Sequence, residues 1–269
     1  MADPTYKRIA DQLQAQIEAG KWAPGEQLPT EPELRVLFDN ASRNTVRDAI
    51  KLLISRNLVE TRPGRGTFVL DKIDPFVTTL SGTPGSGFGG GEGAAYLSEV
   101  TAKQREPSVT EPRVEIQKSD GKVSGYLRIT EGTEVISRHQ ERRIDGKPWS
   151  LQTTWYPMSF VQRGAIRLIQ AENIKEGAVA YLHAQLGIEQ VGYQDLLIVR
   201  RPDPNEATFF RLPDDGTVAV VEHSRTAYGQ EGLPFRLTIT VFPADRNRFI
   251  FNAGKLPDDV VQKAGAPDT

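Results

Sequence analysis

Apolar side chains recur at three- and four-residue spacing from Thr5 onward, at Tyr6, Ile9, Ala10, Leu13 and Ile17, and the run stops at Gly20. That period predicts an amphipathic helix closed by a left-handed glycine. After a Pro24-Gly25 turn, Thr30-Glu31-Pro32-Glu33 has the form of a capping box with proline near the first helical position, predicting a short helix that carries Leu34, Leu37 and Phe38. Ser42 follows Asp39-Asn40-Ala41 and is placed to cap a third helix, whose apolar stripe is Val46, Ala49, Ile50 and Leu53. LVETRPGRGTFVL then alternates apolar and polar residues on both sides of Pro63-Gly64-Arg65-Gly66, the pattern of a tight β-hairpin.

The period changes after a glycine-dominated stretch, SGTPGSGFGGGEG at positions 81–93, which reads as a mobile joint or loop. A phosphate-cradling loop is the competing reading, but no G-x-x-x-x-G-K-[ST] pattern is present. From Ser98 the segments VEIQ, EVISRHQERRI, WSLQTTWYP, DLLIVRR, VAVVEHSRTAY and FRLTITVF predict strands, with Asp145-Gly146 as a hairpin turn. Helices are expected at 160–170, 177–186 and 205–211, so this half reads as an antiparallel sheet with helices, α+β. The expected division is a winged helix-turn-helix at 1–72, a linker at 73–97, a second domain at 98–253 and a tail at 254–269.

Composition narrows the function classes. A chain of 269 residues, 38% hydrophobic and 25% charged, buries real cores, and its length fits two domains. The absence of cysteine excludes disulfides, thiolate metal sites and a cysteine nucleophile. No leader-like or membrane-spanning apolar run occurs, so a cytoplasmic protein without a membrane partner is expected. The net charge of −2 argues against a uniformly basic nucleic-acid coat. Its distribution is uneven: Arg43, Arg47, Lys51, Arg56, Arg62 and Arg65 face only Asp48 and Glu60, a local balance of +4.

A solvated face would account for such a cluster on an arbitrary helix, but the surrounding architecture gives it a use. At 100° per residue Arg43, Asn44, Arg47 and Lys51 fall beside the apolar stripe rather than inside it. Arg43 and Asn44 occupy the first turn, the end that a helix-turn-helix presents to the major groove, where arginine grips guanine and asparagine grips adenine. The glycines at the hairpin tip allow close backbone approach, and Arg65 suits a narrow minor groove. A hairpin that merely closes a small core is the plainer alternative.

PGEQLPTEPEL and SRNTVRDAIKLLISRNLVETRPGRGTFV together resemble the winged helix-turn-helix of the GntR family of bacterial regulators, over residues 5–70. The resemblance implies double-stranded DNA as partner. It implies contacts from Arg43, Asn44, Thr45 and Arg47 at the start of the recognition helix and from the Gly64-Arg65-Gly66 tip of the wing; Ser42, Lys51 and Arg62 are further DNA-binding candidates beside them. Two departures are visible: Pro32 replaces a DNA-touching arginine, and Asp39-Asn40-Ala41 is one residue longer than the usual turn. Both imply an operator preference of its own.

The second half resembles the UTRA effector domain of the HutC branch of that family, which shares its fold with chorismate lyase. The match is carried by ERRIDGKPWSLQTTWYP, Leu186-Gly187-Ile188 and TVAVVEHSRTAYGQEGLPFRLTITVFPADRNRF. The resemblance implies a homodimer and a pocket for a small effector of unknown identity, lined by Arg142, Gln152, Thr154, Arg236, Thr240, Phe242 and Arg246. Gln140, Gln152, Thr154, Arg236 and Phe242 all depart from the family's usual residues, which points away from a common sugar phosphate. Each such residue also has a plain alternative as a solvent-facing strand position.

The expectation is therefore a repressor that reads a pseudo-palindrome as a dimer and is released by its effector, with no cofactor and no metal. A DNA-binding dimer that senses nothing is the alternative. An enzyme is the remote one, since His139, His183 and His223 form no local motif and no Gly-x-Ser-x-Gly elbow occurs.

Overall fold

The computed structural model describes residues 4–56, 58–62, 64–70, 76–81, 97, 100–212, 216–252 and 257. The chain divides into two compact units, Met1–Asp74 and Pro75–Thr269.

In the first unit α1 (Thr5–Glu18), α2 (Glu31–Leu37) and α3 (Arg43–Ser55) precede a hairpin of β1 (Val59–Arg62) and β2 (Gly66–Val69). Their apolar stripes converge on one core of Ile9, Ala10, Leu13, Leu34, Val46, Ala49, Leu53, Val59 and Val69. The local signals act as the pattern predicts. Glu33 accepts from both the backbone N–H and the hydroxyl of Thr30 at 2.8 Å, closing the start of α2. Ser42 Oγ accepts from Thr45 N at 3.1 Å, satisfying an orphan donor at the start of α3. The wing is stiffer than a lone hairpin, because Leu28 N donates to Thr67 O and Val69 N to Glu26 O, both at 2.8 Å. Gly66 sits at φ 117° with a side-chain atom of Gln27 where a Cβ would stand, so this position requires glycine.

The second unit is built on a seven-stranded antiparallel sheet. Its path runs β4 (Pro107–Val109), β6 (Glu134–Ile144), β7 (Lys147–Pro157), β10 (Pro234–Pro243), β9 (Val220–Gly229), β8 (Gln190–Arg200), with β5 (Arg113–Lys118) also paired to β6. The Asp145-Gly146 turn between β6 and β7 has both residues at positive φ, 52° and 73°, as the sequence predicts. One face carries Val135, Leu237, Ile239 and Val241 under α4 (Gly121–Leu127) and α7 (Pro204–Phe210). The other carries Ile136, Tyr156 and Ala227, packed against Phe160 of α5 (Ser159–Gln162), Leu168, and Tyr181 and Leu182 of α6 (Ala178–Leu186).

Several expectations need correction. The helix expected at 160–170 splits at Gly164 (φ 111°) into α5 and a 3-10 turn, Ile166–Ile169. Helix α4 was not foreseen, because its GKVSGYL holds two glycines; an Asp120 cap, accepting from Val123 N at 2.7 Å, and burial of Val123 and Leu127 override that poor propensity. Within the expected linker, β3 (Phe76–Ser81) pairs in parallel with β11 (Asn247–Asn252), so that stretch belongs to the second unit. Apart from Ser81, the glycine-rich stretch 81–93 lies outside the described residues; so does the expected tail, apart from Pro257.

Leu13 is fully buried where α1 meets α3. Leu13→Ala is expected to destabilise the first unit by about 2–5 kcal/mol, read as a lowered denaturant midpoint by circular dichroism.

Candidate nucleic-acid interface and effector pocket

The first turn of α3 puts Arg43, Asn44 and Arg47 on its exposed side while Val46 and Ala49 are buried behind them. Arg43 Nε donates to Glu31 Oε2 at 3.1 Å and Arg47 Nε to Glu31 Oε1 at 2.7 Å, so one carboxylate on α2 bridges two arginines a helical turn apart. The hydrogen bond from Arg47 leads in holding the Glu31 carboxyl below its ordinary range, so it is ionised at neutral pH. Lys51, further along the exposed side, pairs loosely with Asp48 at 3.1 Å. Ser42 and Thr45 spend their hydroxyls on each other and on the helix cap.

The wing presents Gly64 and Arg65 as exposed residues, next to the glycine-dependent Gly66. Arg62 lies on β1, where Glu60 accepts from its guanidinium at 2.6 Å and the ring of Phe68 lies 4.4 Å beneath. Arg65 thus stands at the tip and Arg62 is committed to the strand face.

In the second unit, strand register brings most of the expected effector residues onto one face. Gln152 pairs with Gln140 on one side and Thr240 on the other, and Thr240 with His223. The next row runs Arg138, Thr154, Thr238, Arg225, Asp195. Because alternate residues share a face, Arg142, Gln152, Thr154, Arg236, Thr240 and Phe242 all lie with these rows. All six are buried, which removes the solvent-facing alternative for them. Thr154 and Thr238 hydroxyls meet at 3.2 Å, and Gln152 Nε2 donates to Thr154 Oγ1 at 3.3 Å. Ser150 Oγ, opposite Arg142, is buried without a hydrogen-bond partner among the described residues.

Arg246 lies apart, between β10 and β11, where Asp245 accepts from it at 2.8 and 2.9 Å and Pro148 O at 3.2 Å. Its guanidinium ties strand ends together. Phe242 packs edge-on against Phe249, with ring centres 5.2 Å apart.

Sequence reasoning expected Arg142 and Arg236 but missed other charged members of this face. Arg138 donates to the carbonyls of Leu168 at 2.7 Å, Gln170 at 2.8 Å and Glu172 at 2.7 Å, fastening the segment after α5 to the sheet. Asp195 accepts from Arg225 Nε at 2.6 Å and lies 3.0 Å from His223 Nε2. Burial raises the Asp195 carboxyl, but the hydrogen bonds from Arg225 and His223 outweigh it and hold it at about 2. Alternation within EVISRHQERRI and VAVVEHSRTAY already put Arg138 with Arg142 and His223 with Arg225; the partner strands were not readable.

A depression of about 510 Å³ in the first unit is bordered by Gln27, Leu28, Pro29, Thr30, Glu33 and Leu37. A cavity of about 180 Å³ on the sheet's opposite face is bordered by Arg113, Glu115, Gln117, Ser137, His139, Thr153 and Trp155. Neither touches the expected effector residues. Among the described residues no group of side chains is arranged to hold a metal ion, and no helix is long and apolar enough to cross a membrane.

Residues 5–69 match the gntR family of bacterial regulatory proteins, and residues 102–248 match the UTRA domain. The mannosyl-D-glycerate transport/metabolism system repressor of Escherichia coli is 29% identical over 160 residues, 58% of this chain and 60% of that protein's length. An uncharacterized HTH-type transcriptional regulator of Streptomyces coelicolor is 26% identical over 266 residues, 97% of this chain and 96% of its own. A crystal structure designated a GntR-family transcriptional regulator shares the fold with a TM-score of 0.60 at 23% identity, over 94% of this chain and 99% of that one.

The Asp195 pair has a pH signature. With the folded-state carboxyl at about 2 against an ordinary 3.8, its stabilisation is present above about pH 4 and is lost as pH falls toward 2. Asp195→Asn is expected to cost at least about 2 kcal/mol at neutral pH and to remove that part of the acid slope in thermal melts.

Proposed function

Because the chain belongs to the GntR family of bacterial regulatory proteins that carry a UTRA domain, we propose that it acts as a HutC-type repressor, binding a pseudo-palindromic operator as a homodimer and released by a small effector. The observation that carries the DNA-reading half is the first turn of α3: a capped helix end with Arg43, Asn44 and Arg47 side by side on its exposed face. Free N–H groups and the positive dipole end favour a phosphate there, while the side chains reach base edges. Arg65 at the wing tip enters the adjacent minor groove, and Lys51 meets a backbone phosphate.

The effector-reading half rests on the buried polar face of the sheet. Threonine and glutamine side chains stand beside Arg142 and Arg236 in a layer from which water is largely excluded. Such a layer suits a polar ligand better than an apolar one, because its side chains are hydrogen-bonding and charged. Ligand binding is worth about 1–3 kcal/mol of coupling to DNA affinity, or roughly 5- to 150-fold. Dimerisation through this unit is what its UTRA resemblance implies, and a two-fold dimer suits a pseudo-palindrome.

The operator, selected from genomic fragments, provides the test. Arg43→Ala is expected to cost about 1–3 kcal/mol and relax base preference at one position in each half-site, while Lys51→Ala weakens all sequences alike and lowers the salt slope by about 0.9. Unchanged discrimination in Arg43→Ala would remove α3 as the reader. For the second unit, a metabolite at a hundred times its dissociation constant should add about 2.7 kcal/mol of stability in a thermal-shift screen. A ligand that does so and leaves operator affinity unaltered would exclude effector-controlled release.

A further inference from the structure

We propose that Glu31 is a specificity-determining residue, which biases Arg43 and Arg47 toward orientations suited to base reading and away from indiscriminate phosphate contact. The inference rests on the reading of α3 as the recognition helix. Each arginine meets Glu31 through Nε, one at each carboxylate oxygen, at 3.1 and 2.7 Å. That geometry leaves the two terminal nitrogens of each guanidinium as an outward fork, the shape that matches O6 and N7 of guanine. Both arginine side chains remain accessible, Arg43 at 65% and Arg47 at 48%.

Without the bridge, two long cations one helical turn apart would repel one another and sample many rotamers. They would still attract DNA, but any phosphate would satisfy them. The carboxylate also places a negative charge close to where phosphates pass, which disfavours complexes whose only reward is charge neutralisation. In the operator complex that cost is offset by two pre-oriented forks; on random DNA nothing offsets it. Pro32, the next residue on α2, offers no charge that could take over either task.

The test compares full-length protein with its Glu31→Gln and Glu31→Asp variants on an operator duplex and a scrambled duplex of equal length, across a salt series. Glu31→Gln is expected to lower the ratio of operator to scrambled affinity about tenfold, to bind the scrambled duplex more tightly, and to steepen its salt slope by about 1 to 2 as freed arginines reach phosphates. Glu31→Asp, whose shorter carboxylate keeps the charge and reaches one arginine at a time, should fall between. The Thr30–Glu33 cap is untouched by either change, and melting temperatures check that α2 persists. Equal weakening of both duplexes, or an unchanged ratio and slope, would overturn the role given to Glu31. An Arg43→Ala variant run alongside separates the two claims: if it also leaves the ratio intact, the recognition-helix reading falls, and if it abolishes discrimination that Glu31→Gln preserves, only the proposal for Glu31 does.

Discussion

A guanidinium taken out of water must be met by oxygen atoms, because an unpaired buried charge costs more than the packing around it returns. The second unit is organised by that constraint. Arg138 takes its oxygens from the carbonyls after α5, which draws that segment onto the sheet. Arg225, 1% exposed, takes its own from Asp195 on the neighbouring edge strand, and Arg246 from Asp245 and Pro148 at the strand ends. Register supplies the partner of Arg225, the loop after α5 those of Arg138, and the neighbouring residue that of Arg246, so each of these charges is met by oxygen from a different source. Between the anchored arginines lie buried threonines and a glutamine that bear no formal charge, with the Thr154 and Thr238 hydroxyls meeting at 3.2 Å.

The same chemistry at the surface has the opposite consequence. Arg43 and Arg47 also meet a carboxylate, but water reaches all three side chains, and exposed pairs of this kind are worth about 0–1 kcal/mol. Such a pairing orients without locking. Water competes for the exposed pair, whereas Arg225 and Asp195 are largely shielded from it. Exposure, more than residue type, therefore separates the guanidinium–carboxylate pairs that build this protein from those that water can loosen.

How much of this was legible in the sequence follows from the range of each interaction. Helices α1 to α3 and the wing are written in contacts between residues a few positions apart, as with the Thr30–Glu33 cap and the Gly64–Gly66 tip, so local pattern sufficed. The β6–β7 hairpin was legible for the same reason, through Asp145-Gly146. The pairing of β3 with β11 joins residues about 170 positions apart, and no local signal marks FVTTLS as its partner. Arg138, Arg225 and Asp195 were missed on the same ground: alternation assigns a residue to a face, but the row it shares with distant strands depends on register, which sequence period alone does not fix. Helix α4 failed differently, its glycines arguing against a helix that a cap and two buried side chains sustain.

The turn between α2 and α3 shows how an extra residue is accommodated. Asp39 and Asn40 both adopt left-handed backbone, at φ 52° and 56°, a conformation that aspartate and asparagine tolerate better than most residues. Arg35 Nε then donates to Ala41 O at 3.0 Å, fixing the end of the turn. The extra residue is thus absorbed by backbone geometry, and α3 still begins with its serine cap. Pro32 supplies no cation, so the positive side chains of α2 and α3 near that helix end are Arg35, held against the turn, and Arg43 and Arg47, bridged by Glu31. Glu31, one residue before the proline, accepts from both Arg43 and Arg47, so the residue that follows the cap of α2 ties the start of α3 to it.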